Sequence, residues 1–221
     1  MSRYTLVIGN KNYSSWSLRS WLLLKQSGIE FQEVRVPLYT GAYKDELRNY
    51  SPSGKVPVLL DGQLAVWDSL AIAEYLAEQH PELGLWPANP ARRALARSIS
   101  AEMHSGFSAL RSNMSMNCRG HFPGRGRTVE VAADIDRIQR IWTDCLAQAP
   151  GGGPFLFGSF GIADAMFAPV VLRFKTYVVQ LPVSAQRYAD AIVALAPLKQ
   201  WIEAARAETE VIPAFEPAAT P

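Results

Sequence analysis

The feature that most limits the fold of this chain is a change of periodicity near residue 80. Before it, strand-like and helix-like segments alternate; after it, strand signals vanish. Residues 4–8 form an apolar run that reads as a buried strand. Residues 17–27 place Leu18, Trp21 and Leu22 at helical spacing, and Gly28 ends that helix. Residues 31–36 alternate as a second strand and stop at Pro37, and 42–50 suit a short amphipathic helix. Strands at 56–60 and 64–67 are joined at Asp61-Gly62, a strong hairpin signal. Asp68 or Ser69 then caps a helix that runs to about residue 79.

The order β-α-β-α-β-β-α predicts a mixed four-stranded sheet with helices. The first two strands are expected to pair in parallel, and the hairpin adds an antiparallel edge. This is the pattern of a thioredoxin-like domain over residues 1–80. Pro and Gly punctuation at 81–90 reads as a linker. Residues 91–221 are expected to form an all-helical bundle, with helices over 91–116, 128–147 and 162–179 and shorter pieces over 184–208. The Pro- and Ala-rich tail, 213–221, is expected to be extended or frayed. The fold class is therefore α/β plus all-α.

Composition narrows the function classes. The chain has 221 residues and a formal net charge of +2, which gives no general electrostatic case for nucleic acid or a membrane surface. Arginines between 119 and 127 sit among glycines and read as a loop. Cys118 and Cys145 form no CxxC pair, and no metal-ligand spacing is present. The apolar run after Met1-Ser2-Arg3 is too short for a signal sequence, and no run has the length of a membrane span. A reduced, cytoplasmic setting is the expectation.

Three motifs carry candidate chemistry. Tyr13-Ser14-Ser15-Trp16-Ser17-Leu18-Arg19 lies at a strand-to-helix turn, where a hydroxyl caps the helix or, with free N–H groups, stabilises an anion. Ser51-Pro52-Ser53-Gly54-Lys55-Val56-Pro57 precedes a strand. A cis Val56-Pro57 bond would free the Val56 backbone to pair with an extended peptide; a trans bond would simply open an edge strand. Trp67-Asp68-Ser69-Leu70 starts a helix whose N-terminus suits a carboxylate, while Asp68 suits an ammonium group.

In this order and spacing, the motifs resemble the cytosolic glutathione transferase superfamily over nearly the whole chain. The resemblance implies glutathione as cosubstrate, no metal, a small electrophile as second substrate and a homodimer. It assigns Val56 and Pro57 to the cysteinyl backbone of glutathione, Asp68 and Ser69 to its γ-glutamyl end, and includes Lys55 among the glutathione-binding residues. Phe155-Leu156-Phe157-Gly158 with Ile162-Ala163-Asp164 resembles the family's buried helix-capping motif, in which Asp164 is structural and Gly161 replaces the usual Ser or Thr.

The first motif resembles the Ser-Ser-Cys of the zeta class. The catalytic hydroxyl then falls on Ser14, with Ser15 its neighbour and backbone donor, and Trp16 replaces the Cys. That replacement removes enzyme-thiol chemistry. Residues 102–110 resemble the first long C-terminal helix of bacterial beta-class enzymes. His104, Ser108 and Arg111, at i, i+4 and i+7, are expected on one helix face, either lining the second-substrate pocket or serving the bundle and solvent. The expected activity is a Ser-type glutathione S-transferase. A hydroxyl donating to sulfur would lower a thiol pKa that is ordinarily about 8.5. Glutathione-dependent isomerisation or peroxidase activity, and a non-catalytic binding role, are the alternatives.

Overall fold

The computed structural model describes residues 2–216. Four strands, β1 (Tyr4–Ile8), β2 (Phe31–Arg35), β3 (Val58–Asp61) and β4 (Leu64–Trp67), form one sheet in the order β2-β1-β3-β4. β1 pairs in parallel with β2 and antiparallel with β3, and β4 returns on β3 with Asp61 opposite Leu64. Gly62, at φ 59, supplies the left-handed turn residue. β1 is apolar and buried from Leu6 to Ile8 because both of its faces are covered there. Leu6 and Ile8 join the main core, while Val7 packs with Val36, Leu47 and Val58.

Three helices belong to this half: α1 (Ser15–Gln26), α2 (Tyr43–Arg48) and α3 (Ser69–Gln79). The later part of the chain contributes α4 (Pro90–Ser105), α5 (Ser108–Asn113), α6 (Val129–Ala147), α7 (Ile162–Tyr177), α8 (Val183–Ala194) and α9 (Ala196–Ala207). The expected fold class, a mixed thioredoxin-like sheet followed by helices, is the observed one. α7 is buried on every side except at Lys175, as a central helix must be. It packs against α1, and Trp201 of α9 meets Trp21 of α1 with ring centroids 5.2 Å apart. One continuous core therefore fixes the start of α1 relative to α7. Among the described residues, no helix is long and apolar enough to cross a membrane.

Asp164 sits at the third position of α7, fully buried, and accepts the N–H groups of Leu156 (3.1 Å) and Gly161 (2.9 Å). Burial raises its pKa to about 7. A Cβ at Gly161 would lie 2.8 Å from the Leu85 carbonyl oxygen, which itself accepts the Ile162 N–H at 3.0 Å. The polypeptide at Leu85 thus occupies the place of the missing side-chain cap.

The expected single helix over 91–116 is corrected. Gly106 is extended and Phe107 is left-handed, at φ 58, so α4 ends and α5 starts on a new axis. A side chain on Gly106 would meet the Glu102 carbonyl oxygen at 2.8 Å, and Phe107 is buried, so packing holds the break. The expected strand at 56–60 begins two residues later, after Pro57. Residues 213–215 form a short 3-10 turn; the tail expectation for 217–221 falls outside the described residues.

Candidate functional site

A cleft of about 430 Å3 opens where β1 passes into α1. Its walls come from that turn, the segment around Leu38–Tyr43, the residues up to Val56, and Arg111, Met116, Arg173, Ile212 and Phe215.

The three serines of the turn have different tasks. Ser14 is the N-cap of α1: its hydroxyl accepts the Ser17 N–H at 3.3 Å and donates to Ser17 Oγ at 2.7 Å. Ser17 is wholly buried and accepts the Gly9 N–H at 3.0 Å. Both hydroxyls are committed to holding the turn. Ser14 and Ser15 both line the cleft; Ser15 is half-buried, and its Oγ accepts from Arg173 Nη2 at 3.2 Å. With a guanidinium on its oxygen, the Ser15 O–H is left free to donate into the cleft.

The Val56-Pro57 bond is cis, and Val56 forms part of the cleft wall. Among the described residues, its N–H and C=O pair with no other backbone group. Lys55 lies beside it, exposed and without an ion pair among the described residues. Asp68 caps α3 from a left-handed backbone, φ 76, taking the Leu70 N–H at 2.9 Å and the Ala71 N–H at 3.4 Å. Its other oxygen meets His104 Nε2 at 3.1 Å. Ser69 is buried, and its Oγ has no partner among the described residues. Asp68 and Ser69 are not among the residues lining the main cleft; Trp16, which does line it, packs its ring edge-on against His104 at 5.2 Å.

Trp16 also carries two cations: the Arg19 and Arg111 guanidinium carbons lie 4.4 and 4.9 Å from its ring centroid. Arg173 completes a cluster of three. Burial first, then the neighbouring guanidiniums, pull Arg19 down to about 9; burial and Arg111 pull Arg173 down to about 10. Burial lowers Arg111 as well. Arg111 donates to the carbonyls of Met103 and His104, and Arg173 to that of Met114. None of the three forms an ion pair with a carboxylate among the described residues, and Arg19 Nε and Nη1 and Arg111 Nε have no partner. Burial lowers the His104 pKa and Asp68 partly opposes it, so the imidazole is neutral at pH 7.

Of the residues expected on one helix face, His104 and Arg111 reach this region but Ser108 does not. Ser108 is exposed at the start of α5, on the far side of the Gly106-Phe107 break, and does not line the cleft. Arg111 arrives because α5 folds back against the end of α4. Arg19 and Arg173 were not expected here. A buried arginine on an otherwise apolar helix face was their signal, readable at Arg19 beside Leu18, Trp21 and Leu22. The C-terminal segment adds a further wall. Glu208 accepts the N–H groups of Lys11 (2.7 Å) and Asn12 (3.0 Å), and Phe215 packs on Tyr13 and Tyr39. Among the described residues no group of three or more His, Cys, Asp or Glu is placed to hold a metal ion.

Comparison with known proteins places these features in context. Residues 13–79 match the family model "Glutathione S-transferase, N-terminal domain", and 128–204 match "Glutathione S-transferase, C-terminal domain". The chain is 35% identical over 173 residues to maleylacetoacetate isomerase of Rattus norvegicus, covering 76% of each. It is 40% identical over 97 residues to a probable maleylacetoacetate isomerase of Caenorhabditis elegans, spanning 43% of this chain and 44% of that protein. A glutathione transferase homologue from Burkholderia, solved with bound glutathione, superposes with a TM-score of 0.71 at 24% identity, covering 93% of this chain and 99% of that one. The last likeness is one of fold.

Proposed function

The chain belongs to the glutathione S-transferase family, and from that premise we propose that it binds glutathione, holds it as the thiolate and directs it at a small anionic electrophile. The observation that carries this reading is the Ser15–Arg173 pair, which turns a free O–H into a cleft walled by the unpaired backbone of Val56.

In this reading Val56 pairs with the cysteinyl backbone and Lys55 meets the glycyl carboxylate. The unpartnered Ser69 hydroxyl, at the N-terminus of α3, receives the γ-glutamyl carboxylate, with Asp68 facing the ammonium. The strained backbone at Asp68 supports a binding role for that turn. Ser15, rather than Ser14, donates to the sulfur. Arg173 acts through Ser15: its positive charge polarises the hydroxyl and favours a nearby anion. Lowering the thiol pKa by two units would correspond to about 2.7 kcal/mol.

The thiolate then attacks an electrophilic carbon. Arg111 and Arg173, cleft-lining cations in no ion pair among the described residues, suit a substrate bearing a carboxylate. This favours glutathione-dependent isomerisation as the second reading. Thiolate adds to a conjugated C=C bond, the resulting single bond rotates, and elimination returns both the alkene and the thiolate. Transfer and isomerisation share the first step and differ in whether the sulfur–carbon bond is broken again. Exposed Leu64, Trp67, Leu83 and Leu95 support a homodimer.

The test is a pH titration of the ultraviolet thiolate absorbance of bound glutathione, followed by turnover on neutral and carboxylate-bearing electrophiles. A thiol pKa well below its free value, with preference for the anionic substrates, is expected. An unshifted thiol rejects the mechanism.

A further inference from the structure

Asn10 lies at the end of β1, where its carbonyl accepts the N–H groups of Tyr13 (3.2 Å) and Ser14 (2.8 Å) and so starts the turn into α1. Its side chain is wholly buried yet forms part of the cleft wall. The Leu38 N–H donates to Asn10 Oδ1 at 2.8 Å, which fixes the orientation of the carboxamide. That leaves Nδ2, with two hydrogens and no partner. A buried amide donor left unmade is costly, and such groups are rare in folded proteins.

The sign of the unmet demand is informative. Two orphaned buried polar atoms belong to cleft-lining side chains among the described residues, Asn10 Nδ2 and Arg111 Nε, and both are donors. The cleft therefore calls for an occupant rich in acceptors. Location narrows the acceptor further. A Cβ added at Gly9, the neighbour of Asn10, would lie 2.6 Å from Leu38 Cδ1 and 3.3 Å from Val56 Cγ2. The Asn10 carboxamide, held by the Leu38 N–H, thus belongs to the same cleft wall as Ser15 and Val56. A peptide paired with Val56 would set its cysteinyl residue against this position.

We propose that Asn10 is a sulfur-binding residue: its Nδ2 donates to the glutathione thiolate, as a second donor beside Ser15. The inference rests on the glutathione reading above and adds a residue to it. An N–H aimed at the sulfur favours the ionised form in the same way as the serine hydroxyl.

The test uses Asn10→Asp. This variant keeps an oxygen for the Leu38 N–H and replaces the donor facing the sulfur by an acceptor of like charge. The thiol pKa of bound glutathione is expected to rise by about one unit or more, roughly a tenfold loss of thiolate at neutral pH. Glutathione should bind more weakly, while S-methylglutathione, which cannot ionise, should bind as it does to the wild type. Equal weakening of both ligands, or an unchanged thiol pKa, would overturn the proposal. A second measurement needs no variant. In the wild type with glutathione, the Asn10 side-chain amide signals in 15N NMR should titrate with the thiol, and with S-methylglutathione they should not. Signals indifferent to the thiol would equally overturn it. Wild-type protein that binds no glutathione would sink both this proposal and the reading beneath it. Binding with an indifferent Asn10 would sink this one alone.

Discussion

Replacing Ser14 and Ser15 separately should divide stability from chemistry. Both side chains line the cleft, but Ser15 Oγ makes one hydrogen bond, to Arg173, while Ser14 Oγ makes two, both to Ser17, and is buried. A hydrogen bond to a charged partner is worth about 1.5–3 kcal/mol. Ser15→Ala should therefore raise the thiol pKa of bound glutathione by about one to two units, a fall in neutral-pH thiolate of about tenfold to a hundredfold. Ser14→Ala removes a helix cap, a loss of about 0.5–2 kcal/mol. In a chain of this size each kcal/mol lowers the melting temperature by about 2–4 °C, and the thiol pKa should stay where it is. The assay pairs the ultraviolet titration of bound glutathione with thermal melts of both variants. Ser15→Thr, which keeps a hydroxyl, should restore most of the thiolate. If Ser14→Ala shifts the thiol and Ser15→Ala does not, the division of labour drawn from their hydrogen bonds is wrong.

Other perturbations follow from the same geometry. Arg173→Met removes a buried cation with no carboxylate partner, so stability should be unchanged or higher while turnover falls, as thermal melts and kcat/KM on a carboxylate-bearing electrophile would show. Asp164 holds its proton more tightly folded, with a pKa of about 7, than unfolded; its contribution is therefore present below about pH 4 and is lost as pH rises through 7. Denaturant melts of Asp164→Asn should lack that part of the decline between these limits. His104 shows the opposite sign. Its folded pKa lies below the ordinary imidazole value, so stability falls as pH drops below about 6.5, and Asp68→Asn, which removes the group holding that pKa up, should lower it further in an NMR titration.

How much of this was legible in the sequence depended on how local the cause was. The sheet was legible because the period of β1 and the Asp61-Gly62 turn are written into adjacent residues. The break between α4 and α5 was not, because a glycine is tolerated inside a helical pattern and what enforces the turn is the burial of Phe107. The serines were legible as a set. Their separate hydrogen-bond partners were not, because Arg173, which meets Ser15, lies 158 residues further along the chain. The wall at Ile212 and Phe215 was hidden for the same reason: Glu208 finds its donors at Lys11 and Asn12, across nearly the whole sequence.

Trp16 ties these long-range groups together and bears on what the cleft is for. An ordinary guanidinium titrates above ~12, whereas Arg19 falls to about 9. A depression of that size corresponds to a penalty of roughly 5 kcal/mol on the charged form. A desolvated cation–π contact returns about 2 kcal/mol, so the indole between Arg19 and Arg111 offsets only part of the cost for either one. Asp68 acts on Arg19 and Asp134 on Arg111 from beyond ion-pair distance, and neither restores the ordinary value. A thiolate and a carboxylate-bearing substrate would each supply negative charge beside the cluster. The cysteine of the resembled zeta motif, in place of Trp16, would offer no ring to either arginine. The residue that stands where the resembled motif has its cysteine is thus also the one that stacks on two of the cluster's three arginines, where the proposed anion would bind.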